Sequence, residues 1–276
     1  MSTIKIGRKS VWISSGNFSN NDDFSEIITK YSSNKRVIIR GCNSEISTTL
    51  KINGFQRTLF AQEAIINLKK PITLSKKHQR RIKSLLNRGS VKEVYYNKKN
   101  EKQFSEFLKS TVHWKKPKLK NLFLDKIDKN TRLFVFEFDE NKWEGAILVS
   151  QNSPSKMQGE QFFRKKDGKN GIMDTLVYHL VNLFSEEGFN EFSLGEVPFI
   201  TSDNINTTFK AKLLKQIGRK IKFAYNYENL FYFKNKFATY WDDVYICTNT
   251  SLNFWDLLGI ARKSNLLSLI AYKILN

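Results

Sequence analysis

Cysteine and histidine are scarce in this 276-residue sequence: Cys42 and Cys247 are the two cysteines, and His78, His113 and His179 the three histidines. Neither set falls into a CxxC pattern or a ligand spacing, which argues against a disulfide framework and a structural zinc, and the residues present require no cofactor. Long apolar runs are missing too. No stretch approaches the roughly 18 apolar residues that a bilayer crossing needs, and Met1 to Ser15 carries early charges with no apolar segment behind them. Neither a spanning helix nor a secretory signal is therefore expected, and the expected location is the cytoplasm. Acidic residues are few as well, 26 against 46 Lys and Arg. What the chain has is aromatic mass: 22 Phe, 10 Tyr and 5 Trp within a 40% hydrophobic composition, enough for a packed globular core.

The formal charge of +20 points to polyanions, either nucleic acid or an anionic membrane face. A genome rich in Lys and Asn codons yields the same sum, so distribution has to decide. Residues 71–120 hold 15 Lys/Arg and 3 Asp/Glu, a local +12. Within that segment Lys76, Lys77, Arg80, Arg81, Lys83 and Arg88 accompany Ile82, Leu85 and Leu86 at helical spacing. The pattern is a basic helix face over an apolar stripe, which serves either as a phosphate-contacting surface or as a solvated face.

Residues 1–35 read as polar and turn-rich, followed by short strands at Arg36 to Gly41, Thr48 to Ile52 and Thr58 to Leu68. The basic helix spans Ser75 to Arg88, then a strand Val91 to Tyr96 and a helix Glu101 to His113. The Lys/Pro break at Lys115 to Lys118 divides the chain into 1–117 and 118–276. Beyond it, Arg132 to Phe138 and Glu144 to Ser150 form a hairpin pattern, with Phe134, Phe136 and Phe138 on one face and Leu133, Val135 and Glu137 on the other. A strand Gln161 to Arg164 feeds the loop Lys165 to Asn170 and a helix Gly171 to Glu187 with the stripe Ile172, Leu176, Leu180 and Leu183. A strand Glu191 to Leu194 follows the cap at Gly188. The order is α/β, with an anion-compatible loop at a helix N-terminus. Lys165, Gly168 and Gly171 fit an acyl-CoA pyrophosphate loop only loosely.

Three blocks carry a family resemblance. Arg164, then Asn170-Gly171-Ile172-Met173-Asp174, Gly188-Phe189 and Phe192 to Phe199 resemble the run "MR…NGvMD…G(Y/F)…FnLGmAPL" of the C-terminal catalytic domain of phosphatidylglycerol lysyltransferase, the multiple peptide resistance factor. Tyr225-Asn226-Tyr227, Leu230, Phe233 to Phe237, Trp241 and Tyr245 resemble its "YNF.gL..FKeKF.p.We.rY", and Gln62 to Leu68 with the basic helix its "geEAiidL…lR…nr". The blocks lie in family order over roughly residues 60–245.

The resemblance implies two tandem GNAT-like acyltransferase domains with mixed central sheets, 1–117 bearing the basic helix and 118–276 catalytic. It implies aminoacyl-tRNA-dependent transfer of an amino acid, lysine or alanine, to a phosphatidylglycerol hydroxyl. Residue by residue it implies Asp174, Lys234 and Lys236 as catalytic, and Arg164, Gly171, Met173, Gly195, Tyr225 and Asn226 as substrate-binding. Glu196, where the family usually has Met, is a further pocket candidate. Lys76, Lys77, Arg80, Arg81, Lys83 and Arg88 would meet the tRNA. The alternatives to these roles are a plain helix-end acid for Asp174, solvated lysines at 234 and 236, a structural salt bridge for Arg164, and core positions for Tyr225 and Asn226.

Asn229, Phe231, Thr239 and Val244 replace the family's Gly, Arg, Pro and Arg, so a soluble metabolite or peptide stands as an alternative acceptor, and an acyl-CoA-dependent N-acyltransfer as a further alternative. Last, Leu252 to Leu275 alternates Phe254, Trp255 and aliphatic residues with Arg262, Lys263 and Lys273. It reads either as a core-packing helix or as a peripheral contact with the inner face of the membrane.

Overall fold

The alternation along residues 131–137 sets the pattern for the molecule, because a strand with apolar residues on both faces must be covered on both. The computed structural model describes residues 3–14, 35–124, 126–201 and 209–275. Its elements are β1 (Thr3–Lys5), β2 (Ser10–Ser14), β3 (Arg36–Cys42), α1 (Ser44–Ile52), β4 (Gln56–Asn67), α2 (Lys76–Leu86), β5 (Ser90–Val94) and α3 (Lys98–Lys109). They continue with β6 (Thr131–Glu137), β7 (Trp143–Ser153), β8 (Lys156–Arg164), α4 (Ile172–Glu186), β9 (Glu191–Pro198), α5 (Phe209–Ile221), α6 (Tyr227–Asn235), β10 (Tyr240–Thr248), α7 (Phe254–Lys263) and α8 (Leu266–Leu275).

Among the described residues all ten strands join one mixed sheet in the order β1-β2-β3-β10-β4-β9-β8-β7-β6-β5. This corrects the expected fold of two tandem domains with a sheet each. The last strand, β10, enters between β3 and β4, pairing antiparallel with both, while β4 also pairs with β9 and β5 with β6. Strands from before and after residue 117 therefore share their hydrogen bonds.

Phe134 and Phe136 face α4 and α2, packing with Ile172, Leu176, Leu180 and Phe184; Leu133 and Val135 face α3 through Phe104 and Phe107. Phe184 meets Phe134 and Phe192 edge-on at 5.9 and 5.1 Å, and burying a side chain of that size contributes roughly 1.5–3 kcal/mol. The two cysteines, distant in sequence, lie together as buried free thiols between β3 and β10.

Two further expectations are corrected. Thr48 to Ile52 belongs to α1, not to a strand: Asn43 caps the helix by accepting from Ile46 N at 2.8 Å, and Thr48 Oγ1 bonds back to Ser44 O at 2.8 Å, so local capping overrides the β-preference of its threonines. The C-terminal stretch is two helices, because Asn265 takes φ +63° between them. Most of the turn-rich stretch expected early in the chain, residues 15–34, lies outside the described residues.

Candidate active site

Gly171 enters α4 with φ +99°, and a Cβ there would lie 2.4 Å from Cδ of Arg81. Only glycine meets both demands without strain, and the fit seats the basic helix α2 against the N-terminus of α4. Met173 next to it is half-buried and packs over Gly145. Asp174, in the first turn of α4, is 5% exposed. Its carboxylate forms a short ion pair with Nζ of Lys236, the C-cap of α6, and that ammonium also lies 4.7 Å from the ring centre of Phe233 and 5.5 Å from that of Phe237. A carboxylate at the positive end of a helix and two ring faces thus fix one lysine.

Lys234 turns elsewhere. The parallel pairing of β8 with β9 runs only from Lys156 and Glu191 to Gln158 and Ser193, and where it ends the chain bends at Gly195, φ +83°. Into this bend α6 sends Lys234, whose Nζ donates to the main-chain oxygen of Glu196 at 3.0 Å and lies 3.5 Å from the place a Cβ on Gly195 would occupy. The side chain is 4% exposed. Loss of water lowers its pKa to about 7 against the opposing pull of Glu63.

Behind it stands a cluster that the sequence does not single out. Glu63 accepts from Lys156 Nζ at 3.1 Å and from Ser193 Oγ, and Ser193 Oγ in turn accepts from Gly195 N at 2.9 Å. The available signal was the one carboxylate in the run Ala61 to Leu68.

The side chain of Glu196 leaves the strand toward Arg40 of β3, which it pairs with over the intervening strands. Arg40, also missed from sequence, sits 5.2 Å above the ring of Phe60; burial lowers its pKa to about 10. Tyr225 lies beside it, its phenol pushed up to about 12 by burial. Arg40, Glu196, Tyr225 and Ser264 form the polar part of a cavity of about 130 Å³ otherwise walled by apolar side chains, among them Phe60, Leu122, Phe199 and Leu257.

Not every expected residue joins these groups. Asn226 caps α6, accepting from Asn229 N at 3.0 Å. Arg164 is exposed at the end of β8, where its charge, after burial and Lys116, contributes to lowering the pKa of His113. On α2, Lys76, Lys77, Arg80, Lys83 and Arg88 are exposed while the stem of Arg81 packs on Gly171; Arg80, Lys83 and Arg88 frame a shallow depression. Lys169 and Arg88 approach the ring of Phe138 at 4.6 and 5.6 Å, so the loop before α4 and the basic helix share one positive surface.

Comparison with known proteins bears on the family and the fold. The family model described as phosphatidylglycerol lysyltransferase, C-terminal, matches residues 16–248. Among solved structures, the L-PGS of Bacillus licheniformis superposes with a TM-score of 0.73 at 16% identity, covering 95% of this chain and 84% of that one. The C-terminal domain of a protein assigned as a lysylphosphatidylglycerol synthetase of Agrobacterium fabrum gives 0.70 at 13% identity, covering 96% and 84%. FemX gives 0.55 at 11% identity, covering 88% and 82%. A search of curated proteins found no match. At these identities the structures attest the fold, and the family follows from the sequence match: the chain belongs to the phosphatidylglycerol lysyltransferase C-terminal family of transferases.

Proposed function

We propose that this chain is an aminoacyl-tRNA-dependent aminoacyltransferase that moves an amino acid, lysine or alanine, onto a phosphatidylglycerol hydroxyl at the inner face of the membrane. The observation that carries the reading is Lys234, a buried amine with a pKa of about 7 held at the parting of two strands. Such an amine is available as a base near neutral pH.

The aminoacyl ester is already activated, so positioning, proton transfer and charge stabilisation suffice. In the proposed reaction the acceptor hydroxyl oxygen attacks the ester carbonyl carbon while neutral Lys234 takes its proton. Lys236, held by Asp174, supplies positive charge to the oxyanion. Collapse breaks the bond to the ribose oxygen of the tRNA, and Lys234 returns the proton there. The positive surface of α2 and the loop before α4 receives the phosphate backbone.

The departures at Phe231 and Val244 support a second reading. Phe231 stacks on Trp241 at 4.8 Å and Val244 is buried, so neither place offers the cation the family motif has, and a soluble metabolite or peptide is the corresponding acceptor. Incubating the protein with a radiolabelled pool of charged tRNAs and phosphatidylglycerol vesicles separates the two. Label entering the organic phase, absent from a protein-free control, supports the lipid reading. Label released into an added soluble acceptor supports the second, and label retained on tRNA with either acceptor overturns both.

A further inference from the structure

The helix α7 has apolar residues on both faces. Its packed face sets Leu257 and Ile260 against Ile6, Trp12 and Ile38 and carries Asp256, 3% exposed, and Gly259, where a Cβ on Gly259 would lie 3.0 Å from Ile6. The aspartate is satisfied there: it closes a capping box with Asn253, accepting from Asn253 N at 3.1 Å, and meets Arg36 at 3.5 Å. The opposite face carries Phe254 and Trp255, 62% and 73% exposed, in line with Leu258 and Arg262 at helical spacing. In α8, Leu267, Ala271 and Ile274 repeat the arrangement as exposed residues four and three apart, with Ile274 68% exposed.

Cations surround these stripes. Arg262, Lys263 and Lys273 are exposed on the two helices, and the segment 115–120, which holds Lys115, Lys116, Lys118 and Lys120, is tied to their junction. Lys120 N donates to Ser264 O at 3.0 Å, Asn265 Nδ2 to Lys118 O at 2.8 Å, and Asn121 Nδ2 to Lys263 O at 3.0 Å. The charge of Lys273 helps to lower the pKa of Lys116, after the effect of burial. Residues 114–124 contain no acid, and residues 252–275 contain only the buried Asp256. Both helices also lie beyond the residues that match the family model.

We propose that α7, α8 and the lysine-rich segment 115–120 form a docking surface for an anionic lipid bilayer. Aromatic and aliphatic side chains raised among cations suit the boundary between headgroups and acyl chains, where apolar burial and attraction to anionic lipid add. Aliphatic residues such as Leu258, Leu267 and Ile274 offer nothing to a nucleic acid phosphate, which favours lipid over RNA as the occupant. The surface deepens the proposed function by naming where the chain meets its acceptor, and it rests on that reading only for the identity of the lipid.

The test is co-sedimentation of the full chain with mixed phosphatidylglycerol–phosphatidylcholine vesicles and with phosphatidylcholine vesicles alone, in the absence of tRNA, for wild type and for two variants of matched circular dichroism. Wild type is expected to prefer the anionic vesicles. Phe254→Ser with Trp255→Ser should weaken binding by about tenfold or more at every salt concentration, because it removes the apolar contribution. Lys118→Glu with Lys120→Glu and Arg262→Glu should abolish the preference for anionic vesicles. Both variants should retain wild-type affinity for tRNA and wild-type transfer to phosphatidylglycerol dispersed in detergent. Unchanged vesicle binding in the variants overturns the proposal, as does loss of tRNA affinity in place of vesicle binding, or loss of transfer in detergent. A wild type that binds vesicles through these residues yet transfers nothing leaves the surface standing and removes the aminoacyltransferase reading, so the two failures are distinguishable.

Discussion

Nζ of Lys234 lies 3.0 Å from the main-chain oxygen of Glu196, so the buried amine is held by the same residue whose carboxylate pairs with Arg40. The strand β9 thereby links the base proposed for transfer to the polar part of the apolar cavity.

The protonation of Lys234 predicts both activity and stability. With its pKa near 7, the proposed rate should rise with pH through about 7 and then level; a flat profile would remove it as the base. Because the folded value lies below the ordinary lysine value, the unfolded chain binds more protons between about pH 7 and the free-lysine range. Unfolding free energy from this group therefore climbs with pH across that window, and the burial cost is fully present below it. Lys234→Met should lower transfer by about a hundredfold or more while raising the melting temperature at pH 6, measured by calorimetry.

Asp174→Asn keeps the shape of the side chain and removes the charge that fixes Lys236. Transfer is expected to fall by about a hundredfold, with tRNA affinity retained. An unchanged turnover number would show that the pair has no part in the reaction.

Arg40 and Glu196 form a buried pair, and removing one partner strands the other. Arg40→Met should destabilise the protein by about 3–5 kcal/mol, and Arg40→Met with Glu196→Met should recover most of that loss. Urea titrations of the two variants would decide it, since an equally unstable double variant contradicts the coupling.

For the basic helix, alanine at Arg80, Lys83 or Arg88 should weaken tRNA binding and reduce the slope of log affinity against log salt by about one for each phosphate no longer neutralised. Arg81→Ala acts differently, because its stem packs on Gly171: melting temperature should fall along with affinity. A salt slope indifferent to all four substitutions would make this a merely solvated face.

The elements nearest the proposed site were legible because their signals are local. Strand alternation at residues 133–137, the stripe of α4 and the charge of α2 depend on neighbours along the chain, and the structure reproduces all three. Asp174 and Lys236 stand out in their motif blocks, but that one binds the other has no trace in either block, because 62 residues separate them. Arg40, Glu63, Lys156 and Ser193 were not legible for a related reason: each is one polar residue among others on its strand, and strand order decides which of them meet.

By itself the sequence determined the element types from β4 to β9, the basic helix and, through ordered motifs, the family. Tertiary structure alone decided that one sheet takes in every strand of the described residues, because hydrogen bonds between strands pair residues without regard to their separation in sequence, and β10 closes the gap between β3 and β4. It also decided which of the two lysines at the end of α6 loses its water. Lys236 reaches a carboxylate and stays partly exposed, whereas Lys234 is buried against a carbonyl oxygen, and desolvation, a property of surroundings and not of residue type, sets their different chemistry.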